Sequence, residues 1–211
     1  MKRLIDGYGR GFKSPALLLA SMMISLPAWS AQPGESYLGL GLGESDFSQM
    51  TGLVSAWPGV SGVQAEETSR SWKVQTGHQF SPWLAVETAW VDFGVARVSA
   101  ALQEGGTAAL ELDTAGFEFS ALATLSVTGE LQVFARAGAL VWKSRQQLEL
   151  ADGLASDDFG TPDKKGYAPV LGMGAQWDLG SRTSLRLDWE KYLDLADGDP
   201  EVWLFSVLRR Y

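Results

Sequence analysis

The sequence predicts an all-β chain, an eight-stranded antiparallel up-and-down transmembrane β-barrel. Three observations predict it. Apolar and polar residues alternate with period two through most of the chain after residue 35, as in strands with two unlike faces. The connections between alternating runs are by turns long and short. Membrane barrels show that asymmetry, with loops on one side of the bilayer and tight turns on the other. Glycine and tryptophan are both abundant, with 24 Gly and nine Trp in 211 residues. That mix suits many strands with a lipid interface and suits a helical bundle poorly.

Residues 1–30 read as an export signal, and residues 31–211 as the barrel domain. Lys2, Arg3, Arg10 and Lys13 form a basic start, and Ala16 to Leu26 is an apolar run of 11 residues ended by Pro27. A bilayer-spanning helix needs about 20 apolar residues, so this run is too short to anchor the chain. Ala28 and Ser30 place small residues at −3 and −1, which predicts cleavage between Ser30 and Ala31. Export removes four of 17 Lys and Arg and one of 25 Asp and Glu, leaving 13 and 24, a net charge of −11. Such an acidic chain repels nucleic acid.

The predicted strands cover residues 36–47, 68–80, 83–95, 112–127, 131–145, 166–180, 183–193 and 201–211. The first connection is about twenty residues around Gln49 to Glu67, and the second a tight turn at Ser81-Pro82. The third is long, through Gln103 to Gly106, and the fourth turns at Thr128-Gly129-Glu130. The fifth is long and acidic, Ala151 to Lys165; the sixth turns at Gly180-Ser181-Arg182; the seventh is Leu195 to Pro200.

Alternation alone does not say which face points inward, since a soluble barrel would place its apolar face inside. Two features favour apolar-out. Gly39, Gly41, Gly43, Gly77, Gly138, Gly172 and Gly174 share the polar face, where a narrow eight-stranded interior demands small residues. Aromatic residues gather near the strand ends: Phe80, Trp83, Trp177 and Tyr211 at the short-turn end, and Trp72, Trp90, Trp142, Trp189 and Trp203 toward the other. Two such girdles mark the two membrane interfaces. Trp83 and Trp142 have inward parity, so they join the girdles only where a bulge or strand end reorients them.

Several runs resemble the small OmpA-like outer-membrane barrel domain: Tyr37-Leu38-Gly39-Leu40-Gly41-Leu42-Gly43, Leu84 to Gly94, Phe134-Ala135-Arg136-Ala137-Gly138 followed by Trp142, Pro169 to Gly174, and Leu185 to Glu190. The resemblance covers about residues 36–211. It implies insertion in the outer membrane of a Gram-negative bacterium, with outer-membrane lipids and lipopolysaccharide as neighbours and assembly through the C-terminal strand by the barrel-assembly machinery. Gln176 stands where the family often has Glu, and Tyr211 where its last residue is usually Phe. No peptidoglycan-binding domain is expected after Tyr211. The sequence sets no oligomeric state.

Glu87, Arg136, Arg186 and Asp188 share inward parity and similar height, with Lys73, Glu118 and Glu190 above or beside them. These seven residues predict an ion-pair network inside the barrel. It is read as a packed polar core, since buried charges must be paired and the lumen has room only for side chains; the competing reading is a gate or proton path.

Enzymatic chemistry finds little support. The chain has no Cys and one His, which excludes thiolate sites. His78 falls on the apolar face with no serine expected beside it, and serine acyl transfer needs that base. The aspartates of 152–163 and 194–201 lack EF-hand spacing, and the Gly-x-Gly runs open no helix. No metal, cofactor or catalytic residue is therefore expected. The expected role is structural support of the envelope, with surface loops for interaction. The alternatives are a narrow OmpW-like channel for small apolar molecules and a lipid A-modifying enzyme.

Overall fold

The computed structural model describes residues 34–48, 60–66, 68–102, 107–151, 156–160, 163–196 and 198–211. The predicted cleavage pair Ser30–Ala31 lies outside them. Ten strands form one antiparallel sheet: β1 (Ser36–Asp46), β2 (Val60–Glu66), β3 (Thr68–Ser81), β4 (Leu84–Leu102), β5 (Thr107–Ser126), β6 (Leu131–Ala151), β7 (Ser156–Gly160), β8 (Lys164–Asp178), β9 (Thr183–Tyr192) and β10 (Glu201–Arg210). Eight of them close a barrel in the order β4-β3-β1-β10-β9-β8-β6-β5, sealed by the β4–β5 pairing. Closure leaves no unpaired edge in the wall, which lipid could not satisfy. The remaining two, β2 and β7, pair with β4 and β6.

The short turns are as predicted. Pro82 and Trp83 join β3 to β4. In the β5–β6 turn Thr128 Oγ1 accepts the amides of Glu130 (3.2 Å) and Leu131 (2.9 Å). In the β8–β9 turn the Leu179 amide donates to the Thr183 carbonyl at 2.9 Å.

The opposite end corrects the prediction. The third connection is not a long loop: β4 and β5 stay paired from the wall out to Ala101↔Thr107, leaving only 103–106 between the strands. The fifth carries strand β7 folded back on β6, and the first carries β2. The cause is visible in β4. A bulge between Asp92 and Val95 shifts the register, with Gly94 at φ +72° and its amide held by Asp92 Oδ1 at 2.9 Å. The strand continues past the bulge with its parity exchanged, so period-two alternation breaks where the strand does not.

The apolar face points outward. Leu40, Leu42, Phe119, Met173, Phe205 and Val207 are all exposed, Leu42 at 65 %. Rows of large exposed apolar side chains around a closed sheet form the lipid-facing belt of a transmembrane barrel. Trp142 corrects the girdle: it is only 8 % exposed and lies inside. No bulge intervenes in β6 between Arg136 and Trp142, so its inward parity holds. Its ring fits because Gly166 is opposite; a Cβ there would lie 2.9 Å from Trp142 Cζ2. Trp83 is exposed in its turn, as are Phe80, Trp177, Trp203 and Tyr211. Trp90 and Trp189 are half-buried.

Candidate functional site

The lumen is stratified. Below the extracellular mouth lies an apolar plug that includes Phe47, Val91, Phe93, Leu140, Trp142, Val170 and Val202. The loop after β9 contributes Leu195 and Ala196. It folds tightly, with Asp194 and Ala196 at φ 56° and 52° and the Asp194 amide donating to Asp199 Oδ1 at 2.9 Å.

Beneath the plug the structure brings together all seven charged residues singled out in the sequence. Lys73 Nζ reaches Glu118 Oε2 at 2.9 Å and Glu190 Oε1 at 2.6 Å. Arg136 meets Glu87 Oε2 at 2.6 Å, Glu190 Oε1 at 2.8 Å, Glu118 Oε1 at 2.9 Å and Asp188 Oδ1 at 3.2 Å. Arg186 pairs with Glu87 and donates to Gln176 Oε1 through Nε (3.1 Å) and Nη2 (2.8 Å). All seven are buried. An isolated charge there would be very costly, so each holds an opposite partner.

Two tyrosines absent from the predicted set complete the network. The Tyr37 hydroxyl donates to Glu87 Oε1 at 2.5 Å. The Tyr192 hydroxyl lies 2.5 Å from Glu190 Oε2 and 2.8 Å from Glu118 Oε2, while its ring packs edge-on against Phe93 at 4.8 Å between centroids. Tyr192 thus joins the apolar plug to the ionic layer. Both tyrosines share the inward parity of their strands, and that was the signal available in the sequence. Arg186 also lies over the rings of Tyr37 and Phe134, at 5.2 and 4.9 Å, where a guanidinium gains from the ring face.

Toward the short-turn end the lumen opens into a polar recess of about 330 Å³ lined by Tyr37, Gln79, Gln132, Gln176 and Arg210. Gln176, standing where the family often has Glu, uses its carbonyl oxygen as the acceptor for Arg186.

One expectation about His78 is corrected. Ser36 lies directly opposite it in the β1–β3 register, with Ser36 Oγ 2.9 Å from His78 Nδ1. The reason is register between strands, which one strand's pattern does not encode. Among the described residues no carboxylate hydrogen-bonds the imidazole, so the pair lacks the orienting acid of a hydrolytic triad. Arg209, on the lipid-facing register, donates to Thr183 Oγ1 at 3.0 Å. The described residues contain no group of His, Asp and Glu arranged to hold a metal ion.

A closed antiparallel barrel with an apolar outer belt and a filled lumen defines a small outer-membrane β-barrel protein. Residues 31–203 match the model of the OmpA-like transmembrane domain, and the chain belongs to that family. It is an outer-membrane protein. Among solved structures it is similar to OprG of Pseudomonas aeruginosa, at 9% identity and TM-score 0.51, covering 84% of this chain and 96% of that one. Ail, the attachment invasion locus protein of Yersinia pestis, solved with the heparin analogue sucrose octasulfate, gives 12% identity, TM-score 0.50, and 84% and 99% coverage. Neisserial surface protein A gives 8% identity, TM-score 0.50, and 83% and 97% coverage. At these identities the likeness is one of fold. A comparison with curated protein sequences gave no match.

Proposed function

We propose that this chain is a structural protein of the outer membrane, sealed to solutes, acting without catalysis and presenting its extracellular hairpins to the surroundings. The observation that carries this reading is the doubly closed lumen. An ion-paired layer around Arg136 sits beneath an apolar plug around Phe93 and Trp142. An ion crossing it would meet both a desolvating apolar barrier and a set of charges already paired. The long β4–β5 hairpin supports the surface role, since loops carried on a rigid barrel are where interaction residues collect.

The test is single-channel recording in planar bilayers, together with the detergent and antibiotic sensitivity of a deletion strain. The expected result is a silent bilayer and a leakier envelope. A steady conductance from the wild-type barrel sinks the reading. An OmpW-like path would need an open apolar lumen, and here the apolar part is filled by side chains.

A lipid-modifying enzyme is the second reading, favoured by the Ser36–His78 hydrogen bond. A mass change in lipid A on overexpression, abolished by Ser36→Ala, would establish it; unchanged lipid A would remove it.

A further inference from the structure

The plug at the extracellular mouth draws its side chains from two kinds of element. Most of them stand on wall strands, which the hydrogen-bonded ladder holds in place. Among the described residues of the plug, only Phe47, Leu195 and Ala196 come from outside a strand. Leu195 and Ala196 lie on the loop of residues 193–200 between β9 and β10, which also carries Asp194, Gly198 and Asp199. Leu195 is 1 % exposed and Ala196 4 %, while Asp194 is exposed. A polar loop thus turns the apolar pair at its tip down into the lumen.

The tip is held there against a backbone cost. Asp194 and Ala196, at φ 56° and 52°, are the two described residues other than glycine with positive φ. Aspartate visits the left-handed region with some ease, but in alanine the Cβ crowds the following carbonyl. The Leu195 amide donates to the Gly198 carbonyl at 2.8 Å, and the Gly198 amide to the Leu195 carbonyl at 3.0 Å. This reciprocal pair closes a two-residue turn, a geometry that favours Asn-Gly; its first position here is Ala196. Both bonds close on the loop itself. The stem is tied to the wall lower down, where the Leu193 amide donates to the Pro169 carbonyl at 2.9 Å and the Tyr192 amide to the Pro200 carbonyl at 3.0 Å. Burial of Leu195 and Ala196 is therefore what holds the tip down, and a strained turn persists only where its surroundings fix it. The closed arrangement has a second cost: Trp142 Nε1, buried in the same cluster, has no acceptor among the described residues, and an unmatched buried donor is unfavourable.

We propose that the β9–β10 loop is a strap across the extracellular mouth, pivoting on its stem to lift Leu195 and Ala196 out of the plug while the wall and the ionic layer stay closed. Lifting frees Ala196 from its left-handed conformation and lets water reach the Trp142 indole. Exposure of the leucine opposes it, so the closed form dominates. The inference goes beyond the sealed-barrel reading, because the ion pairs around Arg136 still bar ions when the strap is up.

The test is exchange of the Trp142 indole N–H with heavy water, followed by NMR in the full barrel refolded in phosphatidylcholine nanodiscs. Loss of the signal in Trp142→Phe identifies it. The wild type is compared with Leu195→Ser, which weakens the hold on the tip, and with Ala196→Gly, which removes the strain and keeps Leu195. A gel shift on boiling confirms that each variant folds, and amides of the β5–β6 ladder report on the wall. The indole should exchange at least about tenfold faster in Leu195→Ser and about fivefold slower in Ala196→Gly, with the ladder amides unchanged in both. The glycine variant separates a strained strap from a merely flexible loop, which glycine would loosen further. Faster or unchanged exchange in Ala196→Gly overturns the proposal, as does exchange that Leu195→Ser leaves unmoved. Indole and ladder protons exchanging together also overturn it, assigning the opening to the whole barrel. Leu195→Ser should pass no current in planar bilayers, so failure here and failure of the sealed-barrel reading are separate results.

Discussion

The Tyr37 hydroxyl meets Glu87 Oε1 at 2.5 Å by reaching across Gly77, which pairs with Tyr37 on one side and Glu87 on the other. The same device recurs. Gly172 lies between Arg136 and Glu190, whose side chains meet at 2.8 Å. Gly174 lies between Phe134 and Asp188. Gly77 and Gly172 are gaps in the inner wall over which a long side chain passes to its second neighbour, and the Phe134 ring lies over the gap at Gly174.

Gly77→Val should therefore break the bridge. A Cβ at Gly77 would lie 2.3 Å from Tyr37 Cζ, so the ring must leave and Glu87 loses a donor. Overpacking of this kind costs roughly 1–3 kcal/mol. Urea unfolding in lipid vesicles checks it, with Tyr37→Phe isolating the hydroxyl from the ring. A Gly77→Val barrel as stable as wild type would show that the ring can be relocated freely.

Glu87→Ala should lower stability by about 3–5 kcal/mol, because Arg186 and part of Arg136 are left buried without their carboxylate. Glu87 is the partner that Arg136, Arg186 and Tyr37 share. The variant should still pass no large current, since the apolar plug lies above the damaged layer. Stable large conductance in planar bilayers would contradict the packed core.

How far the sequence carries is clear from these same residues. Parity placed Lys73, Glu87, Glu118, Arg136, Arg186, Asp188 and Glu190 on one face, because each strand there has unlike faces. It could not disclose the apolar plug. Near the extracellular end both faces are apolar: Trp203, Leu204 and Phe205 run together, as do Trp90 and Val91, and alternation carries no signal there. The extension of β4 to Leu102 was hidden for another reason. The bulge at Gly94 exchanges parity, so the pattern stops at 95 while the hydrogen bonds continue. The pairing of Ser36 with His78 depends on inter-strand register, which no single strand encodes.

Phe93→Ala should cost about 3–5 kcal/mol as a buried aromatic deletion. Phe93 is fully buried and packs on Phe47 (6.4 Å) and Tyr192 (4.8 Å). Alone it should leave the bilayer silent, because the ionic layer below is intact. Combined with Glu87→Ala it removes part of both closures, and flickering current should appear only then. Recording the two single variants and the double variant in parallel tests whether the closures are independent; current from Phe93→Ala alone would make the plug the sole barrier.

Asp163, between β7 and β8 and beyond the extracellular end of the wall, provides a pH test of its contact with Lys143. The hydrogen bond from Lys143 holds its carboxyl below the ordinary aspartate range, with the charge of Arg145 helping. A lowered folded-state value means that the favourable interaction is complete above the unfolded-state value. It is lost as pH falls through the folded one. The group is fully exposed, so the whole protein's stability should barely register the change. The local readout is the carboxyl carbon shift of Asp163 in a labelled barrel titrated by NMR. In the wild type its midpoint should lie below the ordinary aspartate range, and in Lys143→Gln it should move upward. A midpoint unmoved by Lys143→Gln would mean that the Lys143–Asp163 contact does not persist in solution.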